Sequence, residues 1–167
     1  FLIQGRDAEA VMQRICANDV GVPAGRVVYT TMLNRHGGIE ADLTVTRLCE
    51  DRYMVVTGGA GERRDFHWIE QSIPDGAHAF LTNVTSAYAV LGVMGPKSRE
   101  LLSSLTGADL SNEAFPFLSS REIEINHAVV RATRITYVGE LGWELYVPTE
   151  FATHVYDVLA HKGQEHG

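Results

Sequence analysis

Alternating apolar and polar positions predict an antiparallel meander in the first half of the chain. Within residues 39–48 one face carries Ile39, Ala41, Leu43 and Val45, and the other carries Glu40, Asp42, Thr44 and Thr46. This period of two is typical of a half-buried strand. The segments at 26–33 and 52–57 predict neighbouring strands. The turn at 34–38 ends in two glycines, which tolerate positive φ, so it joins the first two strands into a hairpin.

Apolar residues at helical spacing predict two helices beside this meander. One covers residues 8–18, and we expect the side chain of Asp7 to cap its first turn. The other covers 61–72 and follows the glycine-rich run at 58–61. Residues 1–3 have the character of the end of a strand, so the chain is expected to be a piece of a longer protein.

The second half alternates strands and helices in a similar way. Strands are predicted at 78–84, 87–94, 121–126, 129–137 and 143–147, and helices at 96–105 and 149–161. Antiparallel strands with separate helices define an α+β protein, with antiparallel sheets and helices packed on one side. We place a boundary between two sub-domains near residue 85, giving 1–85 and 86–167, the second being a truncated, ferredoxin-like half.

Composition narrows the classes of function. The chain has 167 residues, 45% of them apolar, and a net charge of −7, so a nucleic-acid partner is not expected. No apolar run reaches the roughly 20 residues of a membrane helix, and no membrane partner is expected. Cys16 and Cys49 predict reduced thiols and a cytoplasmic location. The seven histidines show no metal-ligand spacing, so no metal site is expected.

Asp42 is the first candidate for chemistry. It lies on the polar face of the strand at 39–48, a few residues after the Gly-Gly turn. One interpretation is a solvated carboxylate, and this is the more common case for an aspartate in a hairpin. The other is a carboxylate at a rigid position in a pocket, able to orient or deprotonate an amine. The pattern leaves both open.

Glu144 is the second candidate. It follows two closely spaced glycines and alternates with Trp143 and Leu145, so the acid and the apolar pair face opposite ways. An exposed glutamate in a tight hairpin is one interpretation. In a cavity, its carboxylate could instead accept two parallel hydrogen bonds from a flat ligand with adjacent N–H donors.

Two further features carry weaker signals. Tyr29, on the strand before the Gly-Gly turn, is either a half-buried core aromatic or a stacking platform for a flat ligand. The run at 58–61 could cradle an anion, but it lacks the lysine of a phosphate loop. A plain connection from strand to helix is therefore favoured there.

Four segments in series resemble one known family: YTTMLNRHGGIEADLTVTRL (29–48), MVVT (54–57), LGVMGPKSRELL (91–102) and TYVGELGWELYVP (136–148). Together they are similar to the tetrahydrofolate-binding aminomethyltransferases. This family includes the glycine-cleavage T-protein and the C-terminal folate domains of sarcosine and dimethylglycine dehydrogenases. The last segment is more similar to the dehydrogenase branch. The resemblance implies the fold of that family, in two sub-domains.

The resemblance also implies residue roles and a cofactor. Asp42 matches the family's catalytic carboxylate, and Glu144 matches the glutamate that holds the pterin ring of tetrahydrofolate. Tyr29 matches an aromatic near the folate, and we expect Tyr137, in the same segment as Glu144, to bind the cofactor too. The implied reaction moves a one-carbon unit from a small-molecule amine to tetrahydrofolate. A flavin dehydrogenase domain, in the same or another chain, is the implied source of that unit.

Alternatives from other classes stay open at this point. The chain could be a non-catalytic folate-binding module, although the cysteine motif of relatives that support iron–sulfur assembly is absent. It could also be a folate-dependent demethylase on the same scaffold. A plain α+β interaction domain is the least specific alternative, and a cleft lined by Tyr29, Asp42 and Glu144 would exclude it.

Overall fold

The computed structural model describes residues 1–166. Gly167, the end of the predicted second sub-domain, lies outside the described residues. The chain forms two compact units, one from Phe1 to Thr85 and the other from Ser86 onward. Both combine an antiparallel sheet with helices, which confirms the predicted α+β class.

The first unit is a five-stranded antiparallel sheet with two helices. The strands, in chain order, are β1 Leu2–Gln4, β2 Val27–Leu33, β3 Ile39–Cys49, β4 Arg52–Thr57 and β5 Phe80–Thr82. Their order across the sheet is β2-β3-β4-β1-β5. The helices are α1 Ala8–Ile15 and α2 Glu62–Ser72, and a 3₁₀ turn at Gly59–Gly61 precedes α2.

The predicted apolar face of β3 is confirmed over most of its length. Ala41, Leu43 and Val45 are buried and belong to the core that also contains the apolar face of α1. Ile39 differs, because it lies at the strand end beside a shift in register and is 68% exposed. Thr46, predicted on the polar face, is only 4% exposed because apolar side chains oppose it on both neighbouring strands.

The predicted capping role of Asp7 is wrong. Asp7 occupies the N-cap position of α1, but its side chain makes no capping hydrogen bond. Its carboxylate instead accepts a hydrogen bond from the backbone N–H of His78, at 2.7 Å. The helix also ends earlier than predicted, because Cys16 turns to extended backbone and forms a β-bridge with Met32.

The second unit is a four-stranded antiparallel sheet with two helices. The strands are β6 Tyr88–Met94, β7 Ser119–Ile125, β8 Ala128–Arg134 and β9 Gly142–Pro148, in the order β6-β9-β8-β7. The helices are α3 Ser98–Ser103 and α4 Ala152–Gly163. The core of this unit lies around the fully buried Trp143 and includes Phe115, Leu145 and Val155.

Helices α3 and α4 both begin later than predicted. The helix predicted over 96–105 begins at Ser98, and the one predicted over 149–161 begins at Ala152, after a 3₁₀ turn at Thr149–Phe151. Gly95 has a φ of 126° and donates its N–H to the carbonyl of Leu141. This turn delays the helix by two residues. The ferredoxin-like description of this half stays a prediction.

Within residues 1–166, no helix combines the length and the apolar character required to cross a bilayer.

Candidate functional site

Tyr29 and Asp42 form a hydrogen-bonded pair on one face of the first sheet. Asp42 lies on β3 directly across from Thr31 on β2, so the side chain two residues earlier on β2 is its diagonal neighbour. The Tyr29 hydroxyl donates to Oδ2 of Asp42 at 3.0 Å. The tyrosine is 57% exposed, which excludes the core interpretation. Its hydroxyl therefore holds the Asp42 carboxylate in place.

Asp42 also lines an open cleft of about 260 Å³ within this unit. The wall opposite the strand comes from the glycine-rich run and the start of α2. The cleft is lined by Ala41, Asp42, Gly58, Ala60, Gly61, Arg64 and Asp65. The run at 58–61 connects strand to helix, as favoured from the sequence, and it also forms part of this cleft. A small ligand can therefore reach the Asp42 carboxylate.

Arg64 and Asp65 were not among the sequence-predicted site residues. Asp65 is 2% exposed, and its Oδ1 accepts a hydrogen bond from Nε of Arg64 and forms an ion pair with Nη2, both at 2.9 Å. The cleft thus contains a guanidinium and two carboxylates. An exposed arginine next to an acid gives no local signal of a site, because it is the fold that brings both residues to Asp42.

Glu144 is positioned by β9 in the second unit. Its strand neighbours Trp143 and Leu145 are fully buried in the core, so Glu144 points to the opposite face, as predicted. Tyr146, two residues along the same face, donates its hydroxyl to Oε2 of Glu144 at 2.6 Å. Burial, followed by the charge of Glu144 and this hydrogen bond, raises the pKa of Tyr146. The phenol therefore stays a neutral donor.

The strands beside Glu144 place a glycine on one side of it and a polar residue on the other. Gly92 on β6 lies directly opposite Glu144 and has no side chain, while Thr133 on β8 lies on the other side. The Thr133 hydroxyl donates to the hydroxyl of Ser120 at 2.9 Å, and both residues are buried. In the part of the chain that the structure describes, the Glu144 side chain makes its hydrogen bond through Oε2, and Oε1 has no partner.

Tyr137 lies in the loop between β8 and β9 and is 97% exposed. A role in cofactor binding stays a prediction. Asp42 belongs to the first unit and Glu144 to the second, so their action on a single ligand stays a prediction as well. Among the described residues, no group of three or more His, Cys, Asp or Glu side chains is placed to hold a metal ion.

Comparison with known proteins assigns the chain to a family. The GCVT N-terminal domain family matches residues 1–167. The chain belongs to this family, which confirms the resemblance seen in the sequence.

Three curated relatives show the range of proteins that contain such a domain. Dimethylglycine dehydrogenase, mitochondrial, of Rattus norvegicus is 36% identical over 168 residues. The 4-methylaminobutanoate oxidase (formaldehyde-forming) of Paenarthrobacter nicotinovorans is 40% identical over 167 residues. In both comparisons all of this chain is covered, and it spans 20% of the relative. An aminomethyltransferase of Thermoanaerobacter sp. (strain X514) is 30% identical over 99% of this chain and 45% of its own length.

Solved structures agree with this assignment. The glycine cleavage system aminomethyltransferase T from Bartonella henselae superposes with a TM-score of 0.82 at 26% identity, covering 95% of this chain and 42% of that one. The heterotetrameric sarcosine oxidase from Corynebacterium sp. U-96 shares the fold, with a TM-score of 0.74 at 15% identity over 98% of this chain and 78% of that one.

Proposed function

We propose that this chain binds tetrahydrofolate and transfers a one-carbon unit to it from an amine donor. The donor is a small molecule, and the domain works within a larger enzyme of the dehydrogenase or T-protein type. Family membership supports the reaction class, because the relatives include an aminomethyltransferase and a dimethylglycine dehydrogenase. The structural observation that carries the proposal is the Glu144 carboxylate, fixed through one oxygen by Tyr146.

The geometry at Glu144 suits the edge of a pterin ring. A pterin presents a ring N–H beside an exocyclic amino group, and a carboxylate can accept one hydrogen bond from each. Oε1 has no partner in the described chain, and Oε2 retains a second lone pair after accepting the Tyr146 hydroxyl. The cross-strand residue, Gly92, has no side chain to cover the carboxylate, and the nearest side chain to that position is Met94.

Asp42 is the residue we assign to the transfer step. When bound, tetrahydrofolate supplies the ring nitrogen that accepts the one-carbon unit. Asp42 orients the amine, takes up its proton, or stabilises the cationic centre, and Tyr29 holds its carboxylate through Oδ2. Help from a general base is typically worth about 10²–10⁴-fold in rate. Holding both reactants in place is worth up to roughly 7–11 kcal/mol in well-oriented cases.

The donor chemistry requires a partner domain. A dehydrogenase or oxidase acting on an N-methylated amine produces the oxidised one-carbon unit, and two relatives carry such names. We propose that a flavin dehydrogenase domain, in the same chain or in another one, supplies that unit here. Cys16 and Cys49 are both free thiols, which suits a reducing compartment such as the cytoplasm.

Two substitutions in the full-length protein separate binding from transfer. We expect Asp42→Asn to leave the dissociation constant for tetrahydrofolate unchanged and to slow methylene transfer by about 10²–10⁴-fold. Glu144→Gln should weaken tetrahydrofolate binding by about 10- to 100-fold, the loss expected for hydrogen bonds to a charged group. Binding is measured by equilibrium titration and transfer by single-turnover kinetics.

Matched controls are exposed acids elsewhere in the chain. Asp157→Asn on α4 and Glu124→Gln on β7 remove the same charges and should change neither quantity. A normal transfer rate in Asp42→Asn would refute the catalytic role and leave a folate-binding module. Unchanged affinity in Glu144→Gln would remove that glutamate from the binding site.

A further inference from the structure

Arg64 is held in a fixed orientation at the edge of the Asp42 cleft. Its Nε donates a hydrogen bond to Oδ1 of Asp65 at 2.9 Å, and its Nη2 forms an ion pair with the same oxygen at 2.9 Å. This uses one edge of the planar guanidinium. Within residues 1–166 its hydrogen bonds and ion pairs go to Asp65 alone, and its side chain is 64% exposed. The other edge, which includes Nη1, therefore remains available to a ligand.

The carboxylate that holds Arg64 is itself firmly placed. The Asp65 side chain is 3% exposed and lies in the first turn of α2, where the helix dipole favours a negative charge. Gly61 allows the close approach of the run at 58–61. A Cβ at that position would lie 2.6 Å from Oδ2 of Asp65 and 3.1 Å from Nη2 of Arg64. The ion pair and the glycine thus form a single packed corner of the cleft.

The cleft presents opposite charges to a ligand. The Asp42 carboxylate attracts a cationic amine, and the open edge of Arg64 matches a carboxylate in two-point geometry. Both residues line one small cleft, so a ligand that carries an amine and a carboxylate can satisfy them together.

We propose that Arg64, oriented by Asp65, binds a carboxylate at the Asp42 cleft. This proposal rests on the proposed function, and it adds to that function a residue that recognises a carboxylate. The carboxylate has two available sources, the amine donor or the glutamyl tail of tetrahydrofolate. Arg64 is in the first case a determinant of donor specificity, and in the second an anchor for the cofactor.

The test follows ligand binding at the cleft itself. Ala41 and Ala60 line the cleft, so their methyl NMR signals in alanine-labelled full-length protein report binding locally. One probe pair is N-methylglycine and dimethylamine, which differ by the carboxylate. The other is tetrahydrofolate and 6-methyltetrahydropterin, which keeps the reduced pterin ring but lacks the aminobenzoylglutamate tail and with it every carboxylate.

We expect Arg64→Gln to weaken the binding of one carboxylate-bearing probe by about 10- to 100-fold. The dissociation constant of its carboxylate-free counterpart should stay unchanged. Loss with N-methylglycine assigns the donor, and loss with tetrahydrofolate assigns the cofactor tail. Arg63→Gln removes a neighbouring charge that does not line this cleft and should change nothing. The proposal fails if Arg64→Gln leaves all four dissociation constants within about twofold, or weakens each pair equally.

A second variant keeps the test valid if Arg64→Gln destabilises the fold. Gly61→Ala retains the charges of Arg64 and Asp65 but forces the ion pair apart. It should therefore weaken the binding of the same probe. Gly59→Ala is the control, because a Cβ there has no neighbour within 4 Å. Binding at the cleft methyls requires no transfer chemistry. Loss of the Arg64 effect is therefore distinguishable from a failed catalytic role for Asp42.

Discussion

Replacing Tyr146 with phenylalanine tests the support of Glu144 without touching the carboxylate. The substitution removes one hydroxyl, and with it a 2.6 Å hydrogen bond to Oε2 of Glu144. Hydrogen bonds to charged groups are worth about 1.5–3 kcal/mol. Glu144 is half-buried, so water replaces part of this interaction. We therefore expect the free energy of unfolding to fall by about 1–2 kcal/mol, and tetrahydrofolate affinity by about 3- to 10-fold.

The assay combines urea unfolding with a tetrahydrofolate titration, and Tyr156→Phe is the control because Tyr156 is exposed on α4.

The pKa of Tyr146 is raised above the ordinary value of 10.0. Its contribution to stability is therefore complete below about pH 10 and is lost as the pH rises further. The difference between wild type and Tyr146→Phe should shrink in that range. A variant as stable and as tight-binding as Tyr156→Phe at pH 7 would refute the reasoning.

Two further predictions concern the packing of each unit. Gly142→Ala should lower the free energy of unfolding in urea by about 1–3 kcal/mol, because its Cβ would lie 2.6 Å from Sδ of Met94. Gly107→Ala is the control and should be close to neutral, since a Cβ there has no neighbour within 4 Å. Equal effects of the two substitutions would contradict this account. Burial raises the pKa of the Cys16 thiol to about 12. Cys16 should therefore resist a thiol reagent at pH 8 in the native chain and react after unfolding. Rapid labelling of Cys16 in the native chain, located by mass spectrometry, would contradict its burial.

The strands were predictable because their signal is local. Alternation over 39–48 predicted β3, Ile39–Cys49, and placed Leu43 and Val45 in the core. The exceptions depend on neighbours that the local pattern does not contain. Thr46 is buried because of its partners on β2 and β4, and α1 ends at Ile15 because Cys16 pairs with Met32.

The site residues also differ in whether a local sequence pattern or the packing of distant elements places them. Strand alternation places Tyr146 on the face of Glu144, so the local sequence contains the signal for this pair. The hydrogen bond from Tyr29 to Asp42 follows from hairpin register in a similar manner. By contrast, Arg64 reaches the Asp42 cleft only through the packing of α2 against the sheet. No local pattern at residues 62–65 indicates that placement.

The most direct measurement for the central claim is an experimental structure of the protein with tetrahydrofolate bound. We predict that the two Glu144 carboxylate oxygens accept hydrogen bonds from the pterin ring N–H and its exocyclic amino group, at about 2.7–3.2 Å. Tyr146 should keep its bond to Oε2. A pterin bound elsewhere on the chain, or one that turns a different edge toward Glu144, would contradict the account.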